Sequence, residues 1–120
     1  MQFMMKLLVY EQSPHFGKGI VQLLTRVRSG MSLNAAAAEM GMSYTKARRL
    51  LKSAEADLGV QLLEPHRGGA GREGSVLTEA GRSMLEQYAG FEAEARQAVQ
   101  RAFEHWFPEP EESATGQQRV

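Results

Sequence analysis

Apolar positions recur along this chain with two periods, and the change of period marks its elements. From Met4 to Tyr10 the run is apolar and partly branched, the pattern of a strand. Ser13-Pro14 opens a loop that feeds a helix from about Gly17 to Ser29. Ile20, Leu23, Leu24 and Val27 give that helix one apolar face, and Gly30 stops it. Ser32 caps a short helix from Leu33 to Met40, and Ser43 caps a third that runs to about Leu58, where Gly59 ends it. Two short apolar segments, Val60–Leu63 and Ser75–Leu77, flank a polar loop with four glycines between Gly68 and Gly74, the pattern of a hairpin with a long tip. Thr78 caps a final helix reaching about Phe107, where Pro108 and Pro110 end it. The remainder, EPEESATGQQRV, is polar and reads as disordered.

The stretch AAAAEMGMSYTKARRLL, from Ala35 to Leu51, interrupts a good helix with Gly41 and then resumes it. Two helices joined by a three- or four-residue turn containing glycine form a helix-turn-helix. At such a corner the backbone needs a positive φ, which glycine adopts without a β-carbon clash. Around it Ala36, Ala37, Met40, Met42, Ala47 and Leu50 are small or apolar at spacings that let the helices pack closely. The expected fold is mainly α with a small β-hairpin: a winged helix-turn-helix over residues 1–77, a long dimerisation helix over 78–107, and a tail over 108–120.

Charge sharpens this picture. The formal net charge is zero, but residues 1–42 carry net +2, residues 43–72 net +3 and residues 73–120 net −5. The positive region begins at the resumed helix. There Ala47, Leu50, Leu51, Ala54 and Leu58 recur at core spacing, so the opposite face holds Thr45, Arg49 and Lys52, flanked by Lys46 and Arg48. A helix in the DNA major groove presents its first turns to base edges, and arginine matches guanine O6 and N7 through two parallel hydrogen bonds. Ser43 and the helix amino terminus are placed to hold a phosphate. The same charges would also suit a solvated face, and the rival reading is a winged-helix adaptor that binds a partner protein without specific DNA binding.

The hairpin tip carries Arg67 and Arg72, which suit the phosphate backbone or the minor groove; alone, the tip would read as a surface loop with incidental arginines. As a nucleotide loop GGAGREG lacks the Gly-Lys-Ser/Thr ending and opens no helix.

The segment SLNAAAAEMGMSYTKARRLLKSAEADLGVQLLEPHRGGAGREGSVLTEAGRSML resembles the N-terminal winged-helix domain of ModE-type molybdate regulators, related to the LysR-type helix-turn-helix. The landmarks are the AAAAEMGMSY core and the order LLE, glycine-rich wing, LTEAGR, and the likeness covers about residues 4–90. It implies a homodimeric transcription regulator on an operator with two-fold character. Carried over, the recognition helix, about 43–58, begins at Ser43-Tyr44, and the wing spans His66 to Gly74. Full-length regulators of that kind carry a C-terminal molybdate-binding domain, for which this chain has no room. Either a stand-alone DNA-binding member or one that depends on something else for its signal is therefore expected, and an oxyanion effector such as molybdate is disfavoured.

In the final helix Tyr88, Phe91, Ala95, Val99, Ala102 and Trp106 fall at steps of three and four. The stripe follows a helix of about 30 residues, or ~45 Å. The preceding domain is too small to cover that length, so a second copy of the chain is the expected cover, giving a homodimer. The competing arrangement is a helix folded back on its own domain.

The remaining composition mainly excludes. No cysteine is present, so disulfides and thiolate metal sites are ruled out. His15, His66 and His105 lie in different elements without ligand spacing. The acidic pairs Glu92/Glu94 and Glu111/Glu112 read as solvated surface, and neither Ser32 nor Ser43 has a histidine nearby in sequence. No enzyme, metal or cofactor is expected. No apolar run approaches the roughly 20 residues of a membrane span, and the N-terminal MQFMMKLLVY has no small-residue cleavage site, so a cytoplasmic protein is expected.

Overall fold

In a computed structural model, described for residues 1–65 and 74–110, the elements run α1 (Lys18–Arg28), α2 (Leu33–Glu39), α3 (Tyr44–Leu58), β1 (Leu63–Pro65), β2 (Ser75–Leu77) and α4 (Glu79–Trp106). The chain divides into two compact units. One is Lys6–Ala89. The other joins Met1–Met5 to the chain from Gly90 onward.

Within Lys6–Ala89 the helix starts follow their caps. Ser32 Oγ accepts the Ala35 amide at 3.0 Å and Ser43 Oγ the Lys46 amide at 3.1 Å, each satisfying a donor that the first helical turn leaves open. Thr78 Oγ1 does the same for Gly81 at 2.9 Å, opening α4. Between α2 and α3 the chain turns at Gly41, whose φ of 71° is the left-handed value expected of the corner. The Gly41 amide donates to Ala38 O at 3.0 Å and the Met42 amide to Ala37 O at 2.9 Å, so the turn closes on the carbonyls of α2. Ala36, Ala37, Ala47 and Ala54 are all fully buried, and their small side chains bring the helices close. Ile20, Leu23, Leu24 and Val27 of α1 complete the core with Phe16, Leu62 and Leu85.

Two expectations are corrected. Met4–Tyr10 forms no strand; among the described residues its one ladder contact is the bridge Val9↔Phe16, with the Val9 amide donating to Phe16 O at 2.9 Å. Leu7 and Val9 keep the half-buried positions of an extended segment, but among the described residues no neighbouring strand supplies a further backbone row. The first hairpin strand lies at Leu63–Pro65, not Val60–Leu63, and pairs antiparallel with β2 in the register Leu63↔Leu77. The backbone just before it is engaged elsewhere. Gln61 O accepts Thr78 Oγ1–H at 2.6 Å and Leu62 O accepts the Thr78 amide at 3.0 Å, while Val60 is exposed.

The first turns of α4 belong to this unit. Tyr88 packs edge-on against Phe16 at a centroid distance of 5.8 Å and donates its hydroxyl to Leu7 O at 3.0 Å. In the other unit Phe3 lies 4.9 Å from Phe103, and Phe103 lies 5.3 Å from Phe107. Arg96 pairs with Glu92 at 2.6 Å.

Candidate nucleic-acid interface

The exposed side of α3 follows from its buried one. Ala47, Leu51, Ala54 and Glu55 are buried, with Leu50 and Leu58 partly so. The helix therefore turns Thr45, Arg48, Arg49 and Lys52, at steps of three and four, to solvent as one stripe, with Tyr44 and Lys46 beside it in the first turn. The Arg48 guanidinium carbon lies 5.9 Å from the centre of the Tyr44 ring, a cation–π distance that orients the side chain along the first turn. Among the described residues Lys46, Arg48 and Arg49 join no ion pair. Lys52 differs, because its Nζ lies 3.5 Å from Glu55 Oε1. Arg26, on α1, is occupied by Glu39 at 2.6 Å. Three cations without an ion pair among the described residues, Lys46, Arg48 and Arg49, thus stand within four positions at the start of α3.

Arg67 and Arg72 lie outside the described residues. Among the described residues, a cleft of about 630 Å³ opens between the end of α1, the start of α2 and β2, with Arg28 and Arg82 as its charged lining residues. Arg82 Nη1 donates to Leu77 O at 3.2 Å. Both arginines stand at the root of the hairpin, where the sequence pattern offered no reason to single them out.

Sequence reasoning also missed two carboxylates that hold α3 in place. Glu55 is only 9% exposed, and its Oε2 accepts the amides of Leu62 at 2.7 Å and Leu63 at 3.3 Å. Asp57 accepts the amides of Glu11, Gln12 and Ser13, each at 2.7 Å. The Glu11 amide, aided by those of Gln12 and Ser13 and by the nearby His15, holds the Asp57 carboxyl below its usual range against a smaller opposing effect of desolvation. His15 Nδ1 is itself buried without a hydrogen-bond partner among the described residues. An acid in the last turn of a helix carries no local mark of such a role, since the partners lie up to 46 residues away.

Of the residues expected on the dimer stripe, Tyr88 is buried within the Lys6–Ala89 unit. Phe91 is 49% exposed, Val99 36% and Trp106 73%; Ala95 is half-buried and Ala102 exposed. Among the described residues no group of His, Asp and Glu could hold a metal ion, and no helix is long and apolar enough to cross a membrane.

Residues 20–82, from α1 through the first turn of α4, match the model of the bacterial regulatory helix-turn-helix protein, lysR family. Among solved structures, the crystal structure of the CbnR_DBD-DNA complex is similar to this chain with a TM-score of 0.54 and 28% identity, covering 70% of this chain and 91% of that one. No curated protein matches the chain.

Proposed function

The chain belongs to the lysR family of bacterial regulatory helix-turn-helix proteins, and we propose that it is a sequence-specific regulator of transcription that binds double-stranded DNA as a homodimer. In this reading α3 enters the major groove, with Tyr44, Thr45, Arg48 and Arg49 toward base edges and Ser43, Lys46 and Lys52 toward phosphates. The wing, residues 66–74, lies on the backbone or in the minor groove with Arg67 and Arg72. Two copies, joined along α4, present two recognition helices to half-sites about 34 Å apart. The order LLE, glycine-rich wing, LTEAGR favours the ModE-type branch of related regulators.

The observation that carries the reading is the exposed stripe of α3, whose Arg48 and Arg49 have no carboxylate partner among the described residues and lie on a helix that follows a glycine corner. A protein-binding face would not need so many unneutralised cations on the first turns. The same structural match supports DNA as the partner, since the similar domain is a DNA complex.

The test is a fluorescence-anisotropy titration against the protein's own upstream region and a shuffled control, at two salt concentrations. Preference for the upstream region, weakening as salt rises, is the expected result. Equal binding to both fragments at each salt concentration would remove sequence specificity from the reading.

A further inference from the structure

Glu55 and Asp57 stand two residues apart on α3, which sets them roughly 200° apart around the helix axis. They therefore pin opposite flanks. Glu55 holds Leu62 and Leu63 at the root of the hairpin, and Asp57 holds Glu11, Gln12 and Ser13 of the N-terminal arm. The core-facing side of α3 is shallow by comparison, because Ala47 and Ala54 supply two of its four buried side chains. Methyl groups make low ridges, and low ridges resist a small tilt or roll poorly.

The lever is long. α3 has 15 residues, so it spans about 22 Å, and a tilt of about 3° about its last turn moves the first turn by about 1 Å. Hydrogen-bond distances fall in a window of only about 0.5 Å. Contacts to base edges are lost within such a movement. Contacts from long, flexible side chains to phosphates are not.

We propose that Asp57 is a positioning residue for DNA recognition: by gripping the arm at Glu11–Ser13 it fixes the tilt of α3 and so the placement of Tyr44, Arg48 and Arg49 against base edges. The inference rests on the DNA-binding reading above and deepens it. Asp57 lies about 12 Å along the axis from Arg49, so its effect passes through the helix. Its three amide partners are backbone groups, which makes the grip independent of the arm's side chains. Glu55 is the poorer candidate for separate study, since it is buried and its loss disturbs the core directly.

The experiment compares wild type with Asp57→Ala, Asp57→Asn and Asp57→Glu. Each is titrated against the upstream region and the shuffled control, and hydrogen exchange is read at the Glu11, Gln12 and Ser13 amides. In Asp57→Ala we expect faster exchange at all three amides and a fall in preference for the upstream region of about fivefold or more, the low end of what one base contact is worth. Affinity for the shuffled fragment and its salt dependence stay unchanged, and Asp57→Glu restores part of the preference. Faster exchange with an unaltered preference overturns the proposal, and so does an equal loss on both fragments. Should Asp57→Ala fail to fold by circular dichroism, Asp57→Asn, which keeps one amide oxygen as acceptor, carries the same comparison. A wild-type protein without preference for its upstream region removes sequence specificity from the DNA reading and overturns this proposal with it; the wild-type titration alone tells that failure from the others.

Discussion

Glu55, near the end of α3, accepts the amide of Leu62 at 2.7 Å and so ties that helix to the root of the hairpin. The same oxygen reaches the Leu63 amide at 3.3 Å, and Lys52 faces the other oxygen at 3.5 Å. Removing the carboxylate leaves two amides beside a packed core without their acceptor. Glu55→Ala is expected to lower stability by about 2–4 kcal/mol, and Glu55→Gln, which keeps an acceptor, by about 1 kcal/mol. Urea unfolding followed by circular dichroism measures both.

Gly81 makes a second tie between α4 and the hairpin root, through close approach. A β-carbon there would run into the Leu62 carbonyl oxygen and press on Leu77 Cδ2 at 3.3 Å. That carbonyl already accepts the Thr78 amide at 3.0 Å and cannot easily retreat. Gly81→Ala should therefore destabilise by about 2 kcal/mol or more, although alanine is favoured in a helix by about 1 kcal/mol. Gly90, on the same helix with open space around it, is the control. Gly90→Ala should stabilise by roughly 0.5–1 kcal/mol, read from the same unfolding curves.

Much of this framework was legible in the chain because its signals are local. Ser32, Ser43 and Thr78 cap donors three residues ahead of themselves, and Gly41 answers a backbone angle at its own position. Composition and spacing report such effects directly. The misread segments depend on distant partners. Whether Met4–Tyr10 becomes a strand depends on a neighbouring backbone row, and the start of β1 depends on Thr78 taking Gln61 O and Leu62 O first. The candidate site divides the same way. The stripe of Thr45, Arg48, Arg49 and Lys52 follows from helical period alone, whereas Glu55 and Asp57 acquire their roles from residues brought close only by the fold. Tyr88 fits the apolar period of α4, but period cannot tell a core neighbour such as Phe16 from a second chain.

Asp57 predicts a pH dependence. Its folded carboxyl is held below the ordinary value of 3.8, the Glu11 amide being the largest cause, with Gln12, Ser13 and His15 adding to it. A depressed folded value means that the unfolded chain binds the proton more readily, so acid favours unfolding. The contribution is fully present above the unfolded value and is lost as pH falls from about 4 through the lower folded value. Urea midpoints from pH 6 to 3 should therefore drop more steeply for wild type than for Asp57→Asn below about pH 4. Parallel curves would show that the three amide bonds do not favour the ionised form.

The exposed face of α3 proposed to read DNA divides by partner. Arg49 is unpaired among the described residues, whereas Lys52 shares Glu55. Arg49→Ala should cost about 1–3 kcal/mol on the upstream region and relax base preference at one position. Lys46→Ala should weaken the upstream and shuffled fragments alike and reduce the salt slope by about 1. The double change Arg49→Ala with Lys52→Ala should abolish retention at moderate salt while leaving the helical signal intact. Binding that survives it would move the interface to another face.

Self-association through α4 is the last test. Phe91 and Trp106 are 49% and 73% exposed in the single chain, and burying such a side chain is worth about 1.5–3 kcal/mol. Phe91→Glu should therefore convert a dimer into a monomer at low micromolar concentration, measured by sedimentation equilibrium, with the unfolding midpoint of the Lys6–Ala89 unit unchanged. Tyr88→Phe is the opposite probe. It removes the hydrogen bond to Leu7 O, so it should lower stability by about 1 kcal/mol and leave association alone. The two variants separate the core end of α4 from its proposed interface. Because linked half-site readers gain from effective concentration, the Phe91→Glu monomer should also bind the upstream region at least about a hundredfold more weakly than wild type. A chain that remains dimeric after Phe91→Glu excludes this stripe as the interface, and a monomer that binds DNA with wild-type affinity removes the need for a dimer.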